Sequence, residues 1–147
     1  MKVGILLPQT GELAKSENVL YIGKEAEKEG LDSVWVFERL LWPLKPQTPY
    51  GGIPNAPIPV EYQSVLDPLE TLTYLAGNTE RISLGTSIID IFFHNPVTLA
   101  RDLLHLMFYQ VGGLLQVSEL DGQKMSMTFL AYPTDAEEQG QTNICNC

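Results

Sequence analysis

Over its first 106 residues the sequence predicts an α/β fold with a parallel sheet. Three observations carry this: apolar runs of strand length, cap-plus-proline signals that open helices, and their alternation three times along the chain. Val3 to Leu7 (VGILL) is a continuous apolar run ended by Pro8 and Gly11, as expected of a strand covered on both faces. Ser16 is the expected cap of a helix with Val19, Ile22 and Ala26 on one face, and Gly30 is its stop. Ser33 to Phe37 (SVWVF) reads as the second strand. Asp67, Pro68 and Glu70 supply a cap, a first-turn proline and a third-position acid for a helix through Leu69, Leu72 and Ala76, ended by Gly77 and Asn78. Arg81 to Ile89 (RISLGTSII) reads as the third strand, with its core from Ile82 to Ile88. Asn95 and Pro96 then repeat the cap-plus-proline start for a helix through Leu99, Leu103 and Leu106.

Right-handed crossovers leave two architectures for such units, an open doubly wound sheet or a closed (β/α)8 barrel. No G-x-G-x-x-G follows the first strand, which weakens the dinucleotide-binding version. From Leu40 to Val60 the chain holds six of its ten prolines with Gly51 and Gly52, a composition incompatible with helix or central strand. This insertion follows the second strand, on the side where α/β enzymes build sites from βα loops, so it reads either as a substrate-side lid or as a rigid connector.

Composition narrows the function classes. At 147 residues and 44% hydrophobic, the chain is long enough for one domain core. Its formal net charge of −9 argues against nucleic acid or an anionic membrane as partner and leaves a small-molecule substrate. No apolar run approaches membrane-spanning length and no signal-peptide order opens the chain, so a cytoplasmic setting is expected. Cys145 and Cys147, without a His cluster, are a poor metal signature, and no metal is expected.

KVGILLPQTGE at Lys2 to Glu12, GLDSVWVFERLLWP at Gly30 to Pro43, and ERISLGTSI with HNPVTLAR at Glu80 to Arg101 together resemble the luciferase-like monooxygenase superfamily, most of all its deazaflavin-dependent oxidoreductases. The resemblance implies that residues 1–106 are the first three βα units of a (β/α)8 TIM barrel. It also implies a reduced FMN or coenzyme F420 at the C-terminal mouth and a small organic substrate. Relatives carry an acid followed by His at the end of strand two, facing the cofactor ring; the matching residues here are Glu38 and Arg39, so the acid is kept and the His is not. Glu38 would act as a proton donor or acceptor in an apolar mouth beside Trp35 and Trp42, or would be a solvated charge or a partner of Arg39. Arg39 would pair with an anionic substrate or cofactor group. Thr86, Ser87 and Ile88 end strand three where relatives press a strained non-prolyl cis peptide against the ring, which places that bond between Ser87 and Ile88. His94, just before the Asn95 cap, is a further catalytic candidate or a structural helix-start residue.

After Leu106 the resemblance stops. Relatives continue close to LD-x-LSGGR-x-x-x-G-x-GxGW, whereas the chain reads LMFYQVGGLLQVSELDGQKMSM. Joining the third base of each codon to the first two of the next forces Val across Met107 and Phe108, Leu across Phe108 and Tyr109, and Asp across Met127 and Thr128. Elsewhere the permitted codons spell DVLSGGRFTAGFGIGWSKDEYDVSGIP, the family continuation. Residues 107–147 are therefore expected to be an out-of-frame, irregular tail, although Gly112, Gly113, Pro133 and the Asp135 to Thr142 run would also suit a hairpin and an ordinary end. The polar tail of the cofactor is gripped by later barrel units in relatives, so the chain is expected not to retain cofactor and to be inactive. Its open sheet edge predicts a homo-oligomer or aggregation. Two other readings remain: an oligomeric half-barrel binding module, and a complete flavodoxin-like domain with further strands after residue 106.

Overall fold

A computed structural model describes residues 1–47 and 49–109 and, beyond them, the backbone of three short strands. Expectations for Gly112, Gly113, Pro133, residues 135–142 and both cysteines lie outside the described residues. The order is β1 (Gly4–Leu6), α1 (Ser16–Lys28), β2 (Ser33–Phe37), α2 (Pro68–Ala76), β3 (Ser83–Ile88), α3 (Pro96–Tyr109) and β4 (Leu114–Gln116). Ser118–Leu120 and Gln123–Met125 form a separate antiparallel pair. Three strands thus lie in the segment expected to be irregular, and α3 runs three residues past Leu106.

All pairings in the main sheet are parallel and the spatial order is β1-β2-β3-β4. A flavodoxin-like sheet would reverse direction after its first unit and place β1 between β2 and β3. Strictly sequential order is instead that of a barrel wall, because repeated right-handed crossovers in one direction put every helix on the same side. Val34, Val36, Leu72, Leu75, Leu84, Leu99, Leu103 and Leu106 form the core between sheet and helices. The other face is open, which corrects the expectation for β1: Leu7 is 5% exposed but Leu6 is 62% exposed.

Local chemistry explains the helix ends. Asp67 Oδ1 accepts from Glu70 N–H at 3.0 Å and Asn95 Oδ1 from Val97 and Thr98 N–H, as the sequence predicts. Helix α1 departs from expectation: extended Lys15 is its N-cap without a side-chain bond, and Ser16 is already inside the helix. The preceding 3-10 turn, Gly11–Leu13, sets that entry, and Asn18 Nδ2 donates to Leu13 O. At the other end Gly30, with φ 78°, lets Leu31 N–H reach Ala26 O and its own N–H reach Glu27 O. That is the Schellman stop, which favours glycine because the left-handed region crowds a Cβ.

Glu27, on the last turn of α1, accepts at Oε1 from three successive backbone N–H groups, Glu80, Arg81 and Ile82, as the chain enters β3. Burial would raise its pKa. The three N–H groups and the Arg81 charge outweigh that and hold it below the ordinary carboxylate value. Among the described residues no helix is long and apolar enough to cross a membrane.

Candidate functional site

The site residues collect where β1, β2 and β3 end. Beyond the strands the ladder is extended by other groups: Glu38 N–H donates to Ile88 O at 3.0 Å, and Gln9 replaces the missing continuation of β1. The Gln9 side chain, 1% exposed, donates to Phe37 O at 2.6 Å and accepts from Phe37 N–H at 2.7 Å. Its amide also donates to Leu66 O, and Leu66 N–H donates to Gln9 O. One amide thereby clamps the insertion's end onto the strand ends. The sequence reading passed over Gln9; a polar residue just after a buried strand and a proline was the available signal.

Glu38 and Arg39 follow the end of β2 and take different partners. Glu38 turns toward the β3–α3 connection, its side chain only 6% exposed. Its Oε2 accepts from Asp90 N–H at 2.7 Å, and its Oε1 lies 2.8 Å from His94 Nε2. His94 is held by its position between the 3-10 turn Ile91–Phe93 and the Asn95 cap, with its N–H on Ile91 O. An imidazole from the next βα unit thus stands beside the acid that follows strand two. A carboxylate on Nε2 fixes the orientation of the imidazole ring. Among the described residues Arg39 makes no bridge to Glu38; its guanidinium stacks over the Tyr62 ring at 5.3 Å.

Strand three ends in a bulge rather than a cis bond. No described peptide is cis, so the Ser87–Ile88 bond is trans, correcting the expectation. The register passes from Val36↔Thr86 to Phe37↔Ile88, leaving Ser87 as the extra residue, with its Oγ donating to Val36 O at 3.2 Å. A bulge re-aims the strand end without the several kcal/mol of a non-prolyl cis bond. Ile88 consequently shares the open face with Phe37 and is 38% exposed. Thr86 does not: it is fully buried on the helix-covered side with Leu84, and its Oγ1 has no hydrogen-bond partner among the described residues. A contact from Thr86 to a ligand on the open face would be confined to its backbone.

Deeper on that face, Trp35 lies flat across the sheet. Its Nε1 donates to Ser33 Oγ at 2.9 Å, and a Cβ on Gly85 would stand 2.6 Å from its Cε3. Glycine at 85 is what lets the indole lie down.

The sequence profile of the luciferase-like monooxygenases matches residues 1–107. The chain belongs to this family. No curated protein matches it. Among solved structures it is similar to a riboflavin lyase (RcaE), crystallised with modified FMN and the substrate riboflavin. The TM-score is 0.59 at 17% identity, over 81% of this chain and 30% of that one. The chain thus spans under a third of that neighbour, and the likeness concerns the fold. The partial barrel read from strand order and one-sided helices is the architecture expected of a luciferase-like chain.

The family binds flavin, so the fit of these residues to that group is a structural question. Leu6, Phe37 and Ile88 give an apolar surface beside the strand ends, suited to a planar ring. At the N-termini of α2 and α3 the side chains of Asp67 and Asn95 already accept from the N–H groups of Glu70, Val97 and Thr98, so those donors are taken. The apolar strand-end surface is the part of the described residues that fits the group, and it fits the planar ring.

Proposed function

We propose that residues 1–106 are the cofactor-ring side of a flavin- or deazaflavin-dependent oxidoreductase barrel acting on a small organic substrate. The observation that carries this reading is the Glu38–His94 pair, 2.8 Å apart beside the open strand ends of a luciferase-like sheet. Bound FMN or coenzyme F420 would supply two-electron chemistry over the face formed by Phe37, Ser87 and Ile88. His94 exchanges the substrate proton through Nδ1, and Glu38 positions it. Arg39 meets the anionic part of the ligand.

The same proposal takes residues 107–147 as read in a shifted frame after the Leu106 codon, so that 1–106 alone is the family domain. In this reading the protein is cytoplasmic, and the outer edge of β1 drives self-association. Ring contacts alone must offset the association entropy, which leaves little net affinity. The test is titration with FMN and with coenzyme F420 of this chain and of a gene repaired by one inserted base. No saturable micromolar binding or turnover is expected from the first, and both from the second. Stoichiometric cofactor binding by the 147-residue chain, or stop codons in the alternative frame soon after the Leu106 codon, would overturn it.

A further inference from the structure

Arg39 takes no part in the Glu38–His94 pair, and its surroundings pose a separate chemical problem. Arg39 is half-buried and permanently charged, and has no carboxylate within ion-pair distance among the described residues. Its Nε is fully buried and has no hydrogen-bond partner among them. Burying a charged donor unpaired is costly, and a guanidinium fork held beside an open face is matched by a planar oxyanion.

Aromatic rings fix where that fork points. Tyr62 lies under the guanidinium at 5.3 Å and packs tilted against Phe37, ring centroids 5.4 Å apart. Tyr50 stands edge-on to Tyr62 at 5.9 Å, and its hydroxyl donates to the Tyr62 hydroxyl at 3.4 Å. Tyr50 belongs to the proline-rich insertion and Tyr62 to the 3-10 turn that follows it; Gln9 ties the end of this segment to the strand ends through Leu66. Cation and rings therefore belong to one wall on the open side of the sheet.

We propose that this wall is a binding site for the carboxylate of an aromatic acid: Arg39 takes the carboxylate and Tyr62, Tyr50 and Phe37 flank the ring. The proposal gives the substrate class of the oxidoreductase reading and rests on that reading only for the word substrate. Binding itself requires no flavin, so failure to bind FMN would leave the site intact, and failure of the site would leave the cofactor reading intact.

The experiment titrates the full chain with benzoate, reading intrinsic fluorescence and the thermal midpoint, with benzamide and inorganic phosphate as comparison arms. Saturable benzoate binding is expected, weakened about ten-fold or more by Arg39→Met and for benzamide, because the charge-assisted fork is lost in both. Arg39→Met without ligand should keep the thermal midpoint within a few degrees, since the half-buried side chain has no ion pair among the described residues to lose and Met keeps an apolar contact with Tyr62. Phosphate bound as well as benzoate would refute the aromatic assignment. Absence of saturable benzoate binding, or an Arg39→Met chain that melts several degrees lower without ligand, would show that Arg39 is only a strut stacked on Tyr62.

Discussion

Glu38 Oε1 and His94 Nε2 lie 2.8 Å apart across 56 residues of sequence, and Glu38 Oε2 holds Asp90 N–H at the same time. One carboxylate thus fixes both the 3-10 turn after β3 and the imidazole that follows it. Glu38→Ala should cost about 1–3 kcal/mol, because the Asp90 N–H is left without its acceptor. Glu38→Gln keeps an acceptor there and should cost less. Urea midpoints of the two variants check this; equal midpoints for Glu38→Ala and the parent would show that the pair does not hold the turn.

Gln9 should matter as much as any core side chain at this end of the sheet. Gln9→Ala orphans both the N–H and the carbonyl of Phe37, and a loss of about 2 kcal/mol is expected. Hydrogen exchange at the Phe37 amide should accelerate relative to Val34, which the ladder still holds. Unchanged exchange at Phe37 would mean that water or backbone replaces the amide without loss.

Acid should weaken the α1–β3 junction. The pKa of Glu27 is lowered in the fold, so its contribution is fully present above the ordinary carboxylate value and fades as pH falls through the lowered one. Glu27→Gln should flatten that acid limb of the stability curve and leave one acceptor for three N–H groups. Denaturation midpoints measured from neutral pH downward decide it; parallel curves for variant and parent would exclude Glu27 as a source of the acid sensitivity.

Gly85→Ala should force the indole of Trp35 off the sheet, since the added methyl would meet Cε3 at 2.6 Å. Overpacking of this kind costs about 1–3 kcal/mol. In a Trp42→Phe background the emission of Trp35 should shift as its environment changes. An unshifted spectrum with parent stability would show that the strand yields instead of the ring.

The two helix caps at Asp67 and Asn95, the glycine stop at Gly30 and the bounds of β2 were legible in the sequence, because each is a contact within a few residues and is written in local residue types. Family membership was legible too, since it rests on the order and spacing of short local motifs through residue 107.

Long-range geometry was not. The sequence places Glu38 beside Arg39, but the two side chains take different partners, and only the packing of β2 against β3 brings His94 to the carboxylate. The expected strain at Ser87 is resolved by a bulge whose existence depends on the register of two strands 50 residues apart. Gln9 acquires its role because two strand ends converge on it, and Thr86 loses its expected reach because the helices cover its face. Local propensity and capping chemistry determined the elements; which face each side chain meets was decided by strand order, register and the one-sided crossovers that hold the sheet together.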